Sequence, residues 1–170
     1  MKNFSDYLGQ DLKIFQKSIW KREVELHSED ELIAKLIYPK FYSDKAEVII
    51  NKEEFEFYRP KFFSRAVDVR KKGYQMPFAH FTPNFWVNKG VLELPRGRKI
   101  IMKFGMIKKI AELFEGENDL LVTIIGRFSF KEKCRVIIEK RSDILDENLW
   151  IIMLAFYFSL LRRRNSSIGK

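Results

Sequence analysis

The chain has little of what marks several large classes of protein. Its single cysteine, Cys134, cannot form an internal disulfide. With 8 glycines and 5 prolines in 170 residues, it is not a collagen, a flexible linker or a disordered tail. Its first residues contain no apolar run that could form the core of a secretion signal. These absences lead us to expect an ordered protein of a reducing, cytoplasmic compartment, about one domain in size.

Groups that carry catalysis are also scarce. Neither His27 nor His80 has a second histidine, a cysteine or an acid at the spacing of metal ligands. The glycines are scattered singly, so no phosphate-binding loop is present. Cys134 has basic neighbours that would favour a reactive thiolate, but its apolar run is typical of a buried strand. We therefore expect no catalytic residue, no metal and no cofactor, and a protein that is not an enzyme.

What the chain has in abundance is phenylalanine and positive charge. It contains 16 phenylalanines and has a formal net charge of +9. Residues 86–170 carry 17 Lys and Arg against 10 Asp and Glu, whereas residues 1–85 carry 15 against 13. The charge thus belongs mainly to the second half, and many large rings have to be buried beneath a basic surface.

Short runs with strand character fill the middle of the chain, separated by turn residues. We predict strands at 20–26, 32–38, 46–50, 55–58, 63–69, 74–81, 85–87, 91–94, 100–104, 120–125, 127–130 and 134–139. Residues 107–114 fit either a strand or a helix, and residues 1–17 fit an N-terminal arm or short helix. About ten to twelve short strands predict a sandwich or barrel, here a single domain over 18–161.

One apolar run, residues 149–161, is closed by three arginines. As a helix it spans roughly 20 Å, against a bilayer core of ~30 Å. A helix that is apolar on every side is favourable only when it is fully enclosed. We therefore predict a mainly β (α+β) fold, in which a closed antiparallel β-barrel encloses a helix over about 147–161, followed by a basic polar tail at 162–170. The alternative is a tail-anchored membrane protein that inserts residues 149–161.

This order of elements resembles the superfamily of tubby C-terminal domains, LURP-one-like proteins and phospholipid scramblases. In these proteins a closed antiparallel barrel surrounds a hydrophobic C-terminal helix. The features that match, within roughly residues 18–161, are 55–63 (FEFYRPKFF), the strands at 119–125 and 134–139, and the closing run 149–161.

The resemblance carries different functional implications for its different members. A scramblase-like protein would have a calcium-binding acidic segment near the last helix. Here only Asp143, Asp146 and Glu147 occur there, and helix capping explains them. A tubby-like protein would have a basic phosphoinositide pocket. This chain has basic residues, but no motif allows that pocket to be transferred residue by residue.

Two basic clusters are the candidate binding residues, each around a predicted hairpin. The first cluster is Arg59, Lys61, Arg65, Arg70, Lys71 and Lys72, and the second is Arg96, Arg98 and Lys99, with Lys103, Lys108 and Lys109 beyond it. They are either outward residues needed for solubility, a patch for an anionic phospholipid surface, or a nucleic-acid site. We expect a non-enzymatic cytoplasmic binding or scaffold module, peripheral to a membrane if it binds anionic lipid headgroups. The sequence does not specify a protein partner.

Overall fold

Twelve antiparallel strands form a closed barrel in the computed structural model, which describes residues 2–16, 22–38, 44–105, 107–127 and 133–167. Each strand pairs with its neighbours in the chain, and β1 closes the barrel by pairing with both β2 and β12. The strands are β1 Leu12–Phe15, β2 Glu23–Ser28, β3 Glu31–Ile37, β4 Ala46–Ile50, β5 Glu53–Tyr58, β6 Val67–Lys71, β7 Ala79–Pro83, β8 Lys89–Glu93, β9 Lys99–Phe104, β10 Lys109–Glu115, β11 Asp119–Arg127 and β12 Lys133–Ile138.

The strands form where apolar and polar residues alternate, because successive side chains of a strand point to opposite faces. In β4, Ala46, Val48 and Ile50 are buried, while the residues between them are partly exposed. Across the β4–β5 pair, Val48 faces Phe55, so buried side chains meet on the inner face. Closure leaves no unpaired edge along the barrel wall.

Two helices follow the last strand: the short α1, Asp143–Glu147, and the long α2, Ile151–Ser167. Residues 151–159 of α2 are all buried. At 3.6 residues per turn, nine consecutive buried residues include every face of the helix, so the barrel wall surrounds it. The prediction of a closed antiparallel barrel enclosing an apolar C-terminal helix is confirmed.

Aromatic side chains fill the space between α2 and the wall. Trp150 packs edge-on against Phe78, with ring centroids 5.5 Å apart, just before the helix begins. Further along, Phe158 packs against Phe81 at 4.6 Å and against Phe104 at 5.0 Å. Because Phe81 lies on β7 and Phe104 on β9, the helix is held by separate parts of the wall.

Within the described residues, no helix is long and apolar enough to cross a membrane. The segment that the tail-anchor alternative would insert is the one that the strands enclose. In this fold the segment packs inside the barrel and does not project from it as a membrane anchor would.

The boundaries of several elements differ from the sequence prediction. Leu12–Phe15 was predicted to be part of an N-terminal arm, but it is β1, which closes the barrel; only a 3-10 turn at Phe4–Tyr7 precedes it. The helix begins at Ile151 and continues to Ser167, through residues predicted to form a polar tail. The acids expected to cap this helix lie instead on the separate helix α1.

Three aromatic segments predicted as strands are connections: residues 63–66, 74–78 and 85–87. Aromatic residues favour strands because they suit a half-buried pleated surface, but these segments do not pair with a neighbouring strand. Residues 107–114, which fitted either element, fall mostly in strand β10. Part of the predicted strands at 20–26 and 127–130 lies outside the described residues.

The topology sorts the connections between the two ends of the barrel, since each connection in an up-and-down barrel reverses the chain. The connections β5–β6, β7–β8 and β9–β10, at residues 59–66, 84–88 and 105–108, share one end. The C-terminal part of α2, residues 159–165, emerges among them. We call these four segments together the cationic end, and the other end of the barrel the opposite end.

Candidate functional site

An open groove of about 740 Å³ lies at the cationic end, between the three connections and the emerging helix. Its apolar surface comes from Val87, Ile110, Phe158 and Leu161, with Phe85, Trp86 and Ile107 at its outer edge. Its cations are Arg59, Arg65, Lys109, Arg162 and Arg163. The groove thus combines a hydrophobic floor with a positively charged rim, and its volume is in the range of ~300–1,000 Å³ typical of ligand sites.

Charge of one sign dominates the segments around the groove. The sequence of the cationic end contains no Asp or Glu and seven cations: Arg59, Lys61, Arg65, Lys108, Arg162, Arg163 and Arg164. Within the described residues, no carboxylate pairs with Lys61, Arg65 or Arg162. Such a surface attracts anions.

Large apolar side chains stand in solvent beside these cations. Phe62 and Phe63 are 85% and 92% exposed, and their rings pack edge-on at 5.1 Å. Phe85 and Trp86 form a second exposed doublet, with ring centroids 5.2 Å apart. Ile107 on the third connection is exposed as well. Many rings fill the interior as we expected, but these do not: Phe62, Phe63, Phe85 and Trp86 lie in solvent.

The connection that presents Phe85 and Trp86 is held by Asn84. The Asn84 side-chain oxygen accepts hydrogen bonds from the backbone N–H groups of Asn88 and Lys89, at 3.2 and 3.3 Å. Val87 has a φ of 58°, a left-handed conformation that is unusual for a β-branched residue. Strain of this kind persists where the surroundings fix the backbone, and it concentrates at functional sites. The aromatic doublet is therefore presented by a fixed turn.

Arg65 joins two of the connections. Its Nη1 donates a hydrogen bond of 2.8 Å to the carbonyl oxygen of Phe85, and its guanidinium lies 5.9 Å from the centre of the Phe85 ring. Lys61 and Phe63 lie on the same connection as Arg65. The contact holds the connection at 59–66 beside the aromatic doublet of the next connection.

Asp44, which follows β3, fixes the emerging part of α2. Its carboxylate pairs with Arg164 of the helix and, at 3.4 Å, with Arg59. Its backbone carbonyl accepts a hydrogen bond from the hydroxyl of Tyr157. Burial, with the negative charge of Asp44 nearby, raises the pKa of the Tyr157 hydroxyl, which stays a neutral donor. These contacts hold the helix against the wall where it leaves the barrel.

Arg162 occupies a different environment from its neighbours on the helix. It is partly buried, with its guanidinium 5.4 Å from the centre of the Phe104 ring and Nη1 3.5 Å from the carbonyl oxygen of Gly105. Burial lowers the pKa of the Arg162 guanidinium, because desolvation disfavours the charged form. Across the groove, the Nε of Arg59 is buried without a hydrogen-bond acceptor among the described residues. Both groups would be stabilised by an anion.

The structure divides the first predicted cluster. Arg59, Lys61 and Arg65 lie at the cationic end, whereas Arg70 and Lys71 lie on β6, with Lys72 just beyond it toward the opposite end. These three are held in ion pairs: Arg70 with Glu56 at 2.6 Å, Lys71 with Glu53 at 2.8 Å, and Lys72 with Glu54 and Glu47 at 2.6 and 3.1 Å.

The pKa values of these paired cations reflect their partners. Hydrogen bonds to Glu54 and Glu47 raise the pKa of Lys72 to about 12, and the hydrogen bond to Glu56 raises the pKa of Arg70. A cation that already faces a carboxylate contributes little positive potential to a separate anion. The part of this cluster that remains available for an anion is the part at the cationic end.

The structure divides the second predicted cluster as well: Lys108 and Lys109 lie at the cationic end, whereas Arg96, Arg98 and Lys99 lie at the opposite end. Arg98 pairs with Glu147 of α1, and Lys99 lies 3.4 Å from Glu93. Arg96 lies in the same β8–β9 connection and is exposed. The structure therefore does not bring Arg96, Arg98 and Lys99 together with the groove.

The sequence prediction missed the groove-lining residues Arg162 and Arg163, which were assigned to a polar tail. It also missed the exposed aromatic doublets. A usable signal was present: segments 59–66 and 84–88 combine paired aromatics with an absence of acids. Without the barrel topology, nothing in the sequence says that these segments meet.

Both histidines have a carboxylate beside them that their local sequence spacing did not reveal. His80 lies 2.8 Å from Asp68 across the β6–β7 pair, and His27 lies 2.8 Å from Glu25 while stacking on Phe15. In the part of the chain that the structure describes, no group of three or more His, Cys, Asp or Glu side chains could hold a metal ion. The acids near α2 have other partners: Asp146 accepts hydrogen bonds from Ser5.

These features define a closed β-barrel with an enclosed helix and an amphiphilic groove at one end. A protein from Arabidopsis thaliana, solved by X-ray crystallography, is similar to it in fold, with a TM-score of 0.57 and 10% identity over 90% of this chain and 93% of that chain. At this identity the likeness shows the fold alone. No family model and no curated protein matches the chain.

Proposed function

We propose that the protein is a non-enzymatic module that binds the surface of an anionic membrane through its cationic end. The observation that carries the proposal is the set of exposed apolar side chains at that end, beside cations such as Lys61 and Arg65 with which no carboxylate of the described residues pairs. Phe62, Phe63, Phe85, Trp86 and Ile107 belong to this set. Protein monomers rarely leave so many large side chains together in water unless the surface has a partner.

A lipid surface suits this chemistry in two ways. Aromatic side chains favour the interface between headgroups and acyl chains, and burying one large apolar side chain yields about 1.5–3 kcal/mol. Each Lys or Arg near an anionic leaflet adds on the order of 1 kcal/mol. A cytoplasmic location beside such a leaflet, and kinship with tubby-like, LURP-one-like and scramblase-like proteins, form part of this proposal.

Single-stranded nucleic acid is a second candidate, because exposed aromatic rings beside arginines can stack on bases. The ring geometry favours lipid. Phe62 and Phe63 pack edge-on at an interplanar angle of 86°, as do Phe85 and Trp86, so each doublet forms a compact wedge. Ile107, which has no ring, extends the same surface.

Sedimentation with lipid vesicles tests the proposal. We expect the protein to pellet with vesicles that contain phosphatidylserine at low salt, and not with pure phosphatidylcholine vesicles. Phe62→Ser combined with Phe63→Ser should weaken that binding at least tenfold. The matched control is Tyr74→Ser with Met76→Ser, which removes two exposed apolar side chains from the opposite end.

Three results would contradict the proposal. The first is no binding to acidic vesicles at low salt, and the second is an equal effect of the two double variants. The third is salt-dependent binding to oligo(dT) without any binding to vesicles, which would favour the nucleic-acid candidate.

A further inference from the structure

The groove is more than part of a flat docking surface. Its volume of about 740 Å³ extends along the emerging helix between Phe158, Leu161 and Ile110. A water molecule occupies about 30 Å³ of liquid, and a methylene group is of similar size, so the groove has room for roughly 20 such groups. This space suits one alkyl chain with a small headgroup and is too small for a protein domain.

The floor of the groove is apolar, and it is covered by the outer aromatic residues. Phe158 and Leu161 are buried at 3% exposure each, and Ile110 is equally buried. Trp86 and Phe85 stand above them on the turn that Asn84 fixes. A hydrocarbon chain placed there would be removed from water over most of its surface.

Two arginines of the groove are partly buried but lack some of the polar partners that a buried charged group requires. Arg162 is partly buried, and no carboxylate of the described residues pairs with it. The Nε of Arg59 is buried without an acceptor, although the same guanidinium reaches Asp44 with Nη1. A carboxylate or phosphate group accepts several N–H donors at once, and hydrogen bonds to a charged group are the stronger kind. These two arginines therefore indicate where the acidic group of a ligand would lie.

The walls of the groove exist before any ligand arrives. Asp44 holds the emerging helix through Arg164 and Tyr157, and Arg65 joins two of the connections. A preformed site binds without the cost of ordering its own loops.

We infer that the groove binds a single anionic amphiphile: one alkyl chain on the floor of Phe158, Leu161 and Ile110, with its acidic group between Arg59 and Arg162. The inference rests on the proposed function, because a membrane docked at the cationic end would deliver the ligand. A fatty acid, which ends in a carboxylate, and a single-chain lysophospholipid, which carries a phosphate, share this chemistry.

Trp86 provides the measurement, since it lines the groove, Trp150 lies in the core, and Trp86→Phe separates its emission from that of the other two of the three tryptophans. The full chain is titrated with laurate and, separately, with dodecyl phosphate, below the concentration at which either forms micelles. Dodecyl maltoside and dodecyltrimethylammonium are the neutral and cationic controls. We expect saturable binding with a shift of the Trp86 emission, at least tenfold tighter for an anionic ligand than for either control. Trp86→Phe should abolish the shift while calorimetry still detects binding.

Arg162→Met separates the groove from the docking surface. We expect it to weaken binding of the anionic amphiphile at least tenfold, and to weaken binding to acidic vesicles by no more than the roughly fivefold that one surface cation contributes. The matched variant is Lys61→Met at the same end, outside the groove lining, which should leave the amphiphile affinity unchanged. Melting curves confirm that both variants fold. If Arg162→Met fails to fold, the comparison of anionic, neutral and cationic ligands on the unaltered protein still decides the question.

The outcomes identify the acidic group of the ligand and separate the groove from the membrane-docking surface. Tight binding of laurate alone identifies a carboxylate ligand, tight binding of dodecyl phosphate alone identifies a phosphate ligand, and tight binding of both supports the shared chemistry. Equal affinity for the neutral or cationic control, or no saturable binding of either anion, would overturn the inference. Vesicle binding without amphiphile binding removes only the groove ligand. Amphiphile binding without vesicle binding removes the membrane proposal instead.

Discussion

The two ends of the barrel differ in charge although the same chain, crossing back and forth, builds both. The four segments of the cationic end have seven Lys and Arg and no Asp or Glu, and Asp44 of the neighbouring β3–β4 connection pairs with Arg59 and Arg164 there. The opposite end has six Lys and Arg against seven Asp and Glu, in the segments 29–30, 51–52, 72–78, 94–98, 116–118 and 139–150. There, cations find carboxylates: Arg98 pairs with Glu147, and Lys140 with Asp119. Positive charge is thus concentrated in the four segments of the cationic end, because the barrel topology places alternate connections together.

Exposed apolar side chains follow the same division. The cationic end presents two aromatic doublets and Ile107 around a groove. At the opposite end Tyr74 and Met76 are exposed on a single connection. A surface becomes a candidate binding site where unpaired charges and exposed apolar side chains occur together. Exposed charges alone are explained by solubility, and single exposed apolar side chains are common on any protein surface.

The largest expected effect distinguishes the enclosed part of α2 from the part that emerges at the cationic end. Ala155→Asp places an unpaired charge at a fully buried position and should cost at least about 4 kcal/mol of unfolding free energy, enough to prevent folding. Asn165→Asp, on the exposed part of the same helix, should change stability by less than about 0.5 kcal/mol. Urea unfolding measures both. An unchanged midpoint for Ala155→Asp would refute enclosure of the helix.

Charge reversal tests the ends directly. Lys61→Glu with Lys108→Glu at the cationic end should weaken binding to acidic vesicles at least tenfold, because each cation near the surface contributes about 1 kcal/mol. Lys52→Glu with Arg96→Glu makes the same change in net charge at the opposite end, and should alter binding less than twofold. Sedimentation across a salt series gives the affinities. Equal losses in the two variants would mean that net charge matters and its location does not.

A smaller effect is expected at Glu56, a buried residue of β5 whose carboxylate pairs with Lys45 and Arg70. Burial alone would raise the pKa of Glu56, but hydrogen bonds from Lys45 and Arg70 outweigh it and hold that pKa below 4.5. The stabilisation is therefore complete above pH 4.5 and is lost as the pH falls through the lower folded value. Glu56→Gln should cost about 1–3 kcal/mol at pH 7, and the difference from the unaltered protein should shrink as the pH falls below 4.5.

Glu93→Gln is the control for this pH dependence, because the Glu93–Lys99 pair is exposed and should contribute less than about 1 kcal/mol. Thermal melting between pH 7 and pH 3 measures both variants. A stability gap for Glu56→Gln that stays constant with pH would contradict the assigned pairing.

The smallest effect concerns the strained turn of the cationic end. Val87→Asn should change stability by less than about 1 kcal/mol, since asparagine tolerates the left-handed backbone and offsets the lost packing. The same substitution at Val69, fully buried in β6, should cost about 3 kcal/mol or more. Chemical denaturation distinguishes the two. A large loss at Val87 would mean that its packing, and not the backbone geometry, maintains this turn.

The sequence predicted the class of fold well and its local boundaries less well. Alternation in segments such as 46–50 and the apolar run 149–161 follow from the periodicity of strands and helices, which is local. The short strand Leu12–Phe15 could not be recognised, because it completes the barrel by pairing with β12, which is distant in sequence, as well as with β2. Segment 85–87 has strand-like residues but no neighbouring strand with which to pair.

The candidate site was predicted only in part. The sequence identified Arg59, Lys61 and Arg65 as cations near aromatics, and these lie at the cationic end. It grouped Arg70 with them, but Arg70 lies on β6, away from the cationic end, and pairs with Glu56. It assigned Arg162 to a tail, because nothing local shows that the helix continues past the last apolar residue.

By itself, the sequence determined that many apolar residues had to be buried and that short strands would form the layer that buries them. It also determined that a helix without a polar face would be enclosed. These conclusions depend on side-chain hydrophobicity and on the spacing of residues along the backbone. Only the tertiary structure decided which charges remain without partners and which rings stay in water. Those properties depend on closure of the barrel, which brings together at one end the segments 59–66, 84–88, 105–108 and 159–165. Because these segments are far apart in the sequence, local patterns of residues cannot predict that they meet.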